Sequence, residues 1–350
     1  MDLIHPTSKA DLAEAVRAAN ADGRRLLVVG GRQHIDKGNP SEVDAELWTT
    51  QLDRLVSYEP AEMIAVVEAG MRIGELNRLL AEGGQEWPSD APADATVGGV
   101  IASGASSVRR LKVGALRDTM LEAEVVTGDG RLVRSGARTV KNVTGYDIHK
   151  LVAGSLGTLA VIVQLALKVR PLPQARRTLR FQGGLDEARR ALGSVPAAAG
   201  ALVTPAGIQL RLEGWHAEVQ EQAGAAADAI GATVGAGDDG PFPSEVPWGS
   251  KPVVAEVAVP PSRLELATVG EAWGALAGVG LAWVGLDRAD GELDALRGRA
   301  REVGGITPVV KGQGGLGHEP VPAPEVHRRL KYSFDPNGVL APGRGWGEAS

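Results

Sequence analysis

The chain has no cysteine among its 350 residues, and that one absence removes several chemistries. It can form no disulfide, offers no thiolate nucleophile, and cannot hold zinc or an iron–sulfur cluster through sulfur. A redox role would need an organic cofactor, or a second chain to carry the electrons onward. Histidine is scarce, with six copies and no i,i+4 pair, so no helix face can present two imidazoles to a metal. His318-Glu319 is too little for a metal site, and none is expected. Net charge is −6 with Lys and Arg scattered, which argues against nucleic acid as a partner. No run approaches 18 apolar residues, the length a membrane-spanning helix requires. The opening MDLIHPTSKADLAEAV lacks the basic-then-apolar order of a secretory leader. A soluble cytoplasmic protein is the expectation. There is no G-x-x-x-x-G-K-[ST] run. A literal G-x-G-x-x-G does occur at Gly312 to Gly317, but the HEPVPAP that follows cannot open the helix that would receive a pyrophosphate.

Glycine, by contrast, is abundant. The 47 copies are nearly double the usual share of ~7%, yet they follow no collagen period. With 43% apolar residues, they point to a globular protein with many tight turns and close backbone approaches. The length favours two domains. Ser8 reads as the N-cap of a helix carrying Leu12, Val16 and Ala19 on one face. Strands are expected at Arg25–Val29, Ile64–Glu68 and Leu159–Val169, a helix at Ile73–Glu82, and a hairpin around Gly128-Asp129-Gly130. Glu86 to Val113 shows little periodicity, and its small residues suit an ordered wrap around a ligand. Pro171-Leu172-Pro173 marks a boundary. Beyond it, strand and helix patterns alternate, including a helical one over Arg263–Leu276, which suggests an α+β domain. Pro320 to Pro324 forms a second linker. The expected division is therefore 1–172, 173–323 and 324–350.

Four glycine-containing segments carry the positive case. The first is RLLVV running into Gly30-Gly31, where successive backbone N–H groups can cup an anion. The second runs from Pro88 to Ser107, the third from Lys141 through Gly145 to Leu159, and the fourth from Phe334 to Arg344. Each alone is an ordinary turn. Their order and spacing give them weight.

In that order they resemble the FAD-binding domain shared by the vanillyl-alcohol oxidase and D-lactate dehydrogenase families. Within these the nearest likeness is to the E subunits of bacterial glycolate oxidases. The resemblance rests on GGR at 30–32, ATVGG at 95–99, ASG at 102–104, GALRD at 114–118, KNVTGYD at 141–147, AGSLGTLA at 153–160 and FDPNGVLAPGR at 334–344. It covers nearly all of 1–172 and the tail, while the middle matches only in texture. It implies an α+β fold: a two-part FAD-binding domain of the vanillyl-alcohol oxidase type, closed by the tail, plus an α+β cap domain of ferredoxin-like texture.

The implied cofactor is non-covalent FAD. By the same resemblance, Gly30, Gly31 and Arg32 would hold its pyrophosphate through the main chain. Thr96, Gly98, Gly99, Ser103 and Gly104 would line the dinucleotide. Asp118 would sit near the adenosine, Gly157, Thr158 and Ile162 would flank adenine and ribose, and Pro88, Asp90 and Arg344 would complete the set. Three departures stand out: the third glycine of the turn is Arg32, the following Ser/Thr-Lys is Gln33-His34, and the Asn of the family's NPG is Ala341. The HGDGNxH-like run of catalytic relatives is missing, so no catalytic residue is assigned. The favoured expectation is an FAD-binding subunit of a glycolate (2-hydroxy acid) oxidase complex. It would work beside a catalytic D-like flavin subunit and an iron–sulfur F-like subunit, with any membrane association running through those partners. An autonomous FAD-dependent hydroxy-acid or alditol dehydrogenase and a flavin-free scaffold stay open as alternatives.

Overall fold

A computed structural model describes residues 1–138, 147–196, 198–231, 251–289, 291–312 and 323–345. Most of the KNVTGYD run and Gln313 to Gly317 lie outside the described residues. The chain divides into two units, one of Met1–Ala105, Ala115–Leu172 and Pro320–Ser350, the other of Ser106–Gly114 and Pro173–Glu319. The second unit thus takes Ser106–Gly114 from inside the stretch that the proline boundary assigns to the first.

In the first unit, Ser8 Oγ accepts the Asp11 N–H at 3.1 Å and starts α1 (Lys9–Ala21). Its Leu12, Val16 and Ala19 are buried against a small parallel sheet of β1 (Asp2–Ile4), β2 (Leu26–Val29) and β3 (Ala45–Trp48), in the order β1-β3-β2. The tail joins the free side of β2: the Leu26 N–H donates to Val339 O at 2.7 Å, and the Ala341 N–H returns to Leu26 O at 2.9 Å.

A second, antiparallel sheet has the order β4-β5-β9-β7-β8. It comprises β4 (Leu55–Glu59), β5 (Ile64–Glu68), β7 (Met120–Thr127), β8 (Leu132–Gly136) and β9 (Ala160–Lys168), while β6 (Gln85–Glu86) pairs with β10 (Arg170–Pro171). The buried Ile73, Leu76 and Leu80 of α2 (Ile73–Ala81) share a core with Trp87 and with Leu165 and Leu167 of β9. The stretch expected to be irregular contains a short helix, α3 (Val97–Ser103), whose N-cap Thr96 Oγ1 accepts the Gly99 N–H at 3.2 Å. Gly98 is needed there because a Cβ would stand 2.7 Å from the Ala69 Cβ.

The second unit is one antiparallel sheet of β11 (Ala175–Phe181), β12 (Ala198–Thr204), β13 (Gly207–Gly214), β14 (Val253–Ala258), β15 (Trp273–Leu276), β16 (Leu281–Leu286) and β17 (Val309–Lys311). The order is β11-β13-β12-β15-β16-β14-β17. Side chains alternate between its faces with the strand period of two. Ala255 and Val257 pack with Leu293 and Leu296 of the helix Glu292–Glu302, whereas Val254 meets Val108, Leu276 and Trp283 on the other face. Burial of Val108 there explains why Ser106–Gly114 belongs to this unit. The fold is α+β, as expected, but Arg263–Leu276 is a 3-10 segment (Pro261–Ala267) followed by β15.

Candidate cofactor-binding site

The end of β2 turns at Gly30-Gly31, and the two glycines let this turn lie directly on the Asp94–Thr96 backbone. A Cβ on Gly30 would stand 2.2 Å from Thr96 Oγ1, and one on Gly31 would stand 2.5 Å from Asp94 O. On the far side, Gly157 takes φ +76° and its missing Cβ faces Val28, 3.2 Å away. These approaches frame an open cleft within the first unit.

Residues from all four quarters expected from sequence line it: Gly30, Gly31 and Arg32 from the turn, Thr96, Gly98, Gly99 and Ser103 around α3, Gly157 and Ile162 at the start of β9, and Arg344 from the tail. Pro88, Asp90, Gly104, Asp118 and Thr158 are not in its wall. Gly104 closes α3 in the left-handed conformation, at φ +61°. Thr158 is buried and donates its hydroxyl to Ser155 O at 2.8 Å. Asp118 is exposed beside Arg117, Pro88 is buried and Asp90 half-buried. Val28, Thr49, Ala95, Val100, Leu156 and Ala160 also line the cleft. Of these, Thr49 alone lies outside the segments singled out from sequence; Ala95 falls in ATVGG, and Leu156 and Ala160 fall in AGSLGTLA.

Two of the three departures, Arg32 and Ala341, now have physical content. Arg32 sits at φ +60° and Ala341 at φ +37°, the left-handed region that Gly, and less readily Asn, occupy at low cost. Glycine and asparagine, which the resemblance implies at these positions, would meet that backbone requirement at lower cost. Arg32 is compensated by its side chain: Nη1 binds Glu46 Oε2 at 2.7 Å, and the guanidinium carbon lies 5.3 Å from the Trp48 ring centroid. Glu46 is only 3% exposed and also accepts the Trp48 Nε1–H at 2.9 Å. The Arg32 side chain, 44% exposed, is thus paired with Glu46 at the rim of the cleft. Leu156, at φ +55° between Gly154 and Gly157, is a bulky residue under local strain of the kind that gathers at ligand sites.

Arg344 is nine-tenths buried. Its Nη2 donates to Ile35 O at 2.5 Å and its Nη1 to Asn39 O at 3.5 Å. Burial lowers its affinity for its proton, and the charge of Asp36 offsets this in part.

The cleft has features that suit a dinucleotide: glycine backbone lines it, and a buried cation stands in its wall. Residues 3–136 match the family described as FAD binding domain. With the fold and the cleft, that match defines the class of the protein, an FAD-linked oxidoreductase chain with FAD as its cofactor. Within that class it is similar along almost its whole length to glycolate oxidase subunit GlcE of Escherichia coli (strain K12), 29% identical over 96% of this chain and 97% of that one. D-lactate dehydrogenase of Archaeoglobus fulgidus is 32% identical over 48% of this chain but only 38% of its own length. Glycolate oxidase subunit GlcD of Bacillus subtilis (strain 168) is 28% identical over 45% of this chain and 34% of its own. In fold the chain is similar to alkyldihydroxyacetonephosphate synthase, with a TM-score of 0.70 and 17% identity over 97% of this chain and 76% of that one.

Proposed function

We propose that this chain is the FAD-binding subunit of a glycolate (2-hydroxy acid) oxidase complex, receiving or relaying electrons beside a catalytic flavin subunit and an iron–sulfur subunit. The observation that supports it best is the full-length likeness to a glycolate oxidase subunit, joined to a cleft whose glycine contacts suit a dinucleotide. Bound FAD supplies a two-electron acceptor. The chain's own residues do the holding: Gly30 and Gly31 present backbone, and Thr96, Gly98, Gly99, Ser103, Gly157 and Ile162 form the walls. Gly104 and Thr158 shape the turns behind those walls, and Pro88, Asp90 and Asp118 belong to the same proposed set. The seven-stranded unit takes the place of the cap domain.

Substrate oxidation needs a base for the hydroxyl proton and cations for the carboxylate. The chain has no HGDGNxH-like run to supply them, so these duties fall to the flavin partner. The absence of cysteine assigns any iron–sulfur cluster to another chain. A cytoplasmic location follows from the same reading, with the membrane reached only through partners. Co-expression of the tagged chain with its D-like and iron–sulfur partners tests the assignment. A co-purifying complex that reduces an acceptor with glycolate is the expected result, and a chain that retains neither partner contradicts it.

A further inference from the structure

Two arginines line the cleft, and their surroundings differ in kind. The guanidinium of Arg32 is neutralised by Glu46 at 2.7 Å. Arg344 comes from the tail and is held by two main-chain carbonyls, Ile35 O and Asn39 O. Among the described residues no carboxylate lies within 4 Å of it; Asp36 acts only through its more distant charge. A guanidinium 9% exposed has lost most of its hydration, and carbonyl dipoles replace only part of it. Its planar fork offers five N–H donors, which suit the oxygens of a phosphate.

We infer that Arg344, and not the side chain of Arg32, is the residue through which this chain meets the negative charge of a phosphate-class group in the cleft. The inference rests on the FAD reading in naming that group, the pyrophosphate of the dinucleotide. It ties cofactor binding to the tail. Arg344 follows directly on the segment that Leu26 binds at Val339 and Ala341, so a ligand that engages Arg344 also stabilises the docked tail, and the reverse holds by linkage.

The test uses the flavin-stripped full-length chain, with FAD binding read by quenching of flavin fluorescence, ADP and inorganic pyrophosphate binding read by calorimetry, and Tm measured without ligand. Arg344→Met weakens FAD, ADP and pyrophosphate by about 10–100-fold, while the ligand-free Tm holds or rises because a desolvated cation has been removed. Arg344→Lys, which keeps the charge but loses the fork, falls between. Arg32→Gln weakens FAD less than Arg344→Met does. Three results would overturn the inference: unchanged affinities in Arg344→Met, a larger loss in Arg32→Gln, or a lower ligand-free Tm with normal affinities in both Arg344 variants. If wild-type protein binds pyrophosphate through Arg344 but not FAD, the FAD reading fails and the phosphate site stands. If it binds neither, both fail.

Discussion

Arg32 shows at the scale of one residue how a departure from a family pattern is accommodated. Its left-handed backbone costs on the order of 1 kcal/mol relative to glycine, and the contacts to Glu46 and Trp48 offset it. Arg32→Gly should therefore not stabilise the protein, although it restores the residue that the resemblance implies. It relieves the backbone but strands the buried Glu46 carboxylate, with a net loss of about 1–3 kcal/mol in urea unfolding. Adding Glu46→Gln should recover most of that loss; a single substitution that stabilises on its own would refute the compensation. His149 makes a second case. It is 4% exposed, and its Nδ1 has no partner among the described residues. Burial holds its pKa below the ordinary value; the nearby Asp147, the Met120 backbone and Glu122 pull upward, and Lys150 adds to the lowering. Below about pH 6.5 the unfolded chain takes up a proton that the folded chain resists, so His149 lowers stability as pH falls through that range. Thermal unfolding from about pH 7.5 to 5.5 should show a shallower fall in Tm for His149→Gln than for wild type. Equal slopes would remove His149 from the account.

As an element, the tail is held by a buried ion pair in addition to its main-chain bonds to Leu26. Asp335 is fully buried at its side chain and accepts the Val339 and Leu340 N–H groups at 2.9 and 2.8 Å. Lys331 Nζ donates to Asp335 Oδ2, Leu340 O and Thr158 O, each at 2.8 Å. Lys331→Met leaves that carboxylate unpaired, so a loss of about 3–5 kcal/mol and faster proteolysis near Gly338 are expected; an unchanged digestion pattern would show that the pair does not hold the tail. Legibility in the sequence follows the same line between local and distant causes. The expected strands around Leu26–Val29 and Ile64–Glu68, the Gly128-Asp129-Gly130 hairpin and α2 appear because their signals are local. α3 was hidden by Gly98-Gly99, which lower helix propensity but are demanded by contact with Ala69. β12 was hidden by its Ala- and Gly-rich AAGALVT, whose strand character comes from pairing with β13 and β15. In the site, the glycine turn was legible. The exposure of Asp118 and the isolation of the Arg344 charge were not, since both depend on where the chain returns after long separations.

For the whole molecule, the absence of cysteine and the abundance of glycine describe one division of labour. Backbone approaches build a cleft for FAD, while under the proposed function clusters and substrate-oxidising groups belong to other chains. The measurement that tests this most directly is the visible spectrum of the purified chain, alone, before and after anaerobic addition of glycolate or D-lactate. The account predicts a yellow protein whose flavin absorbance stays unchanged by either acid until the catalytic flavin subunit is added. A colourless chain that cannot be reconstituted with FAD, or a flavin that bleaches with glycolate in the absence of any partner, would contradict it.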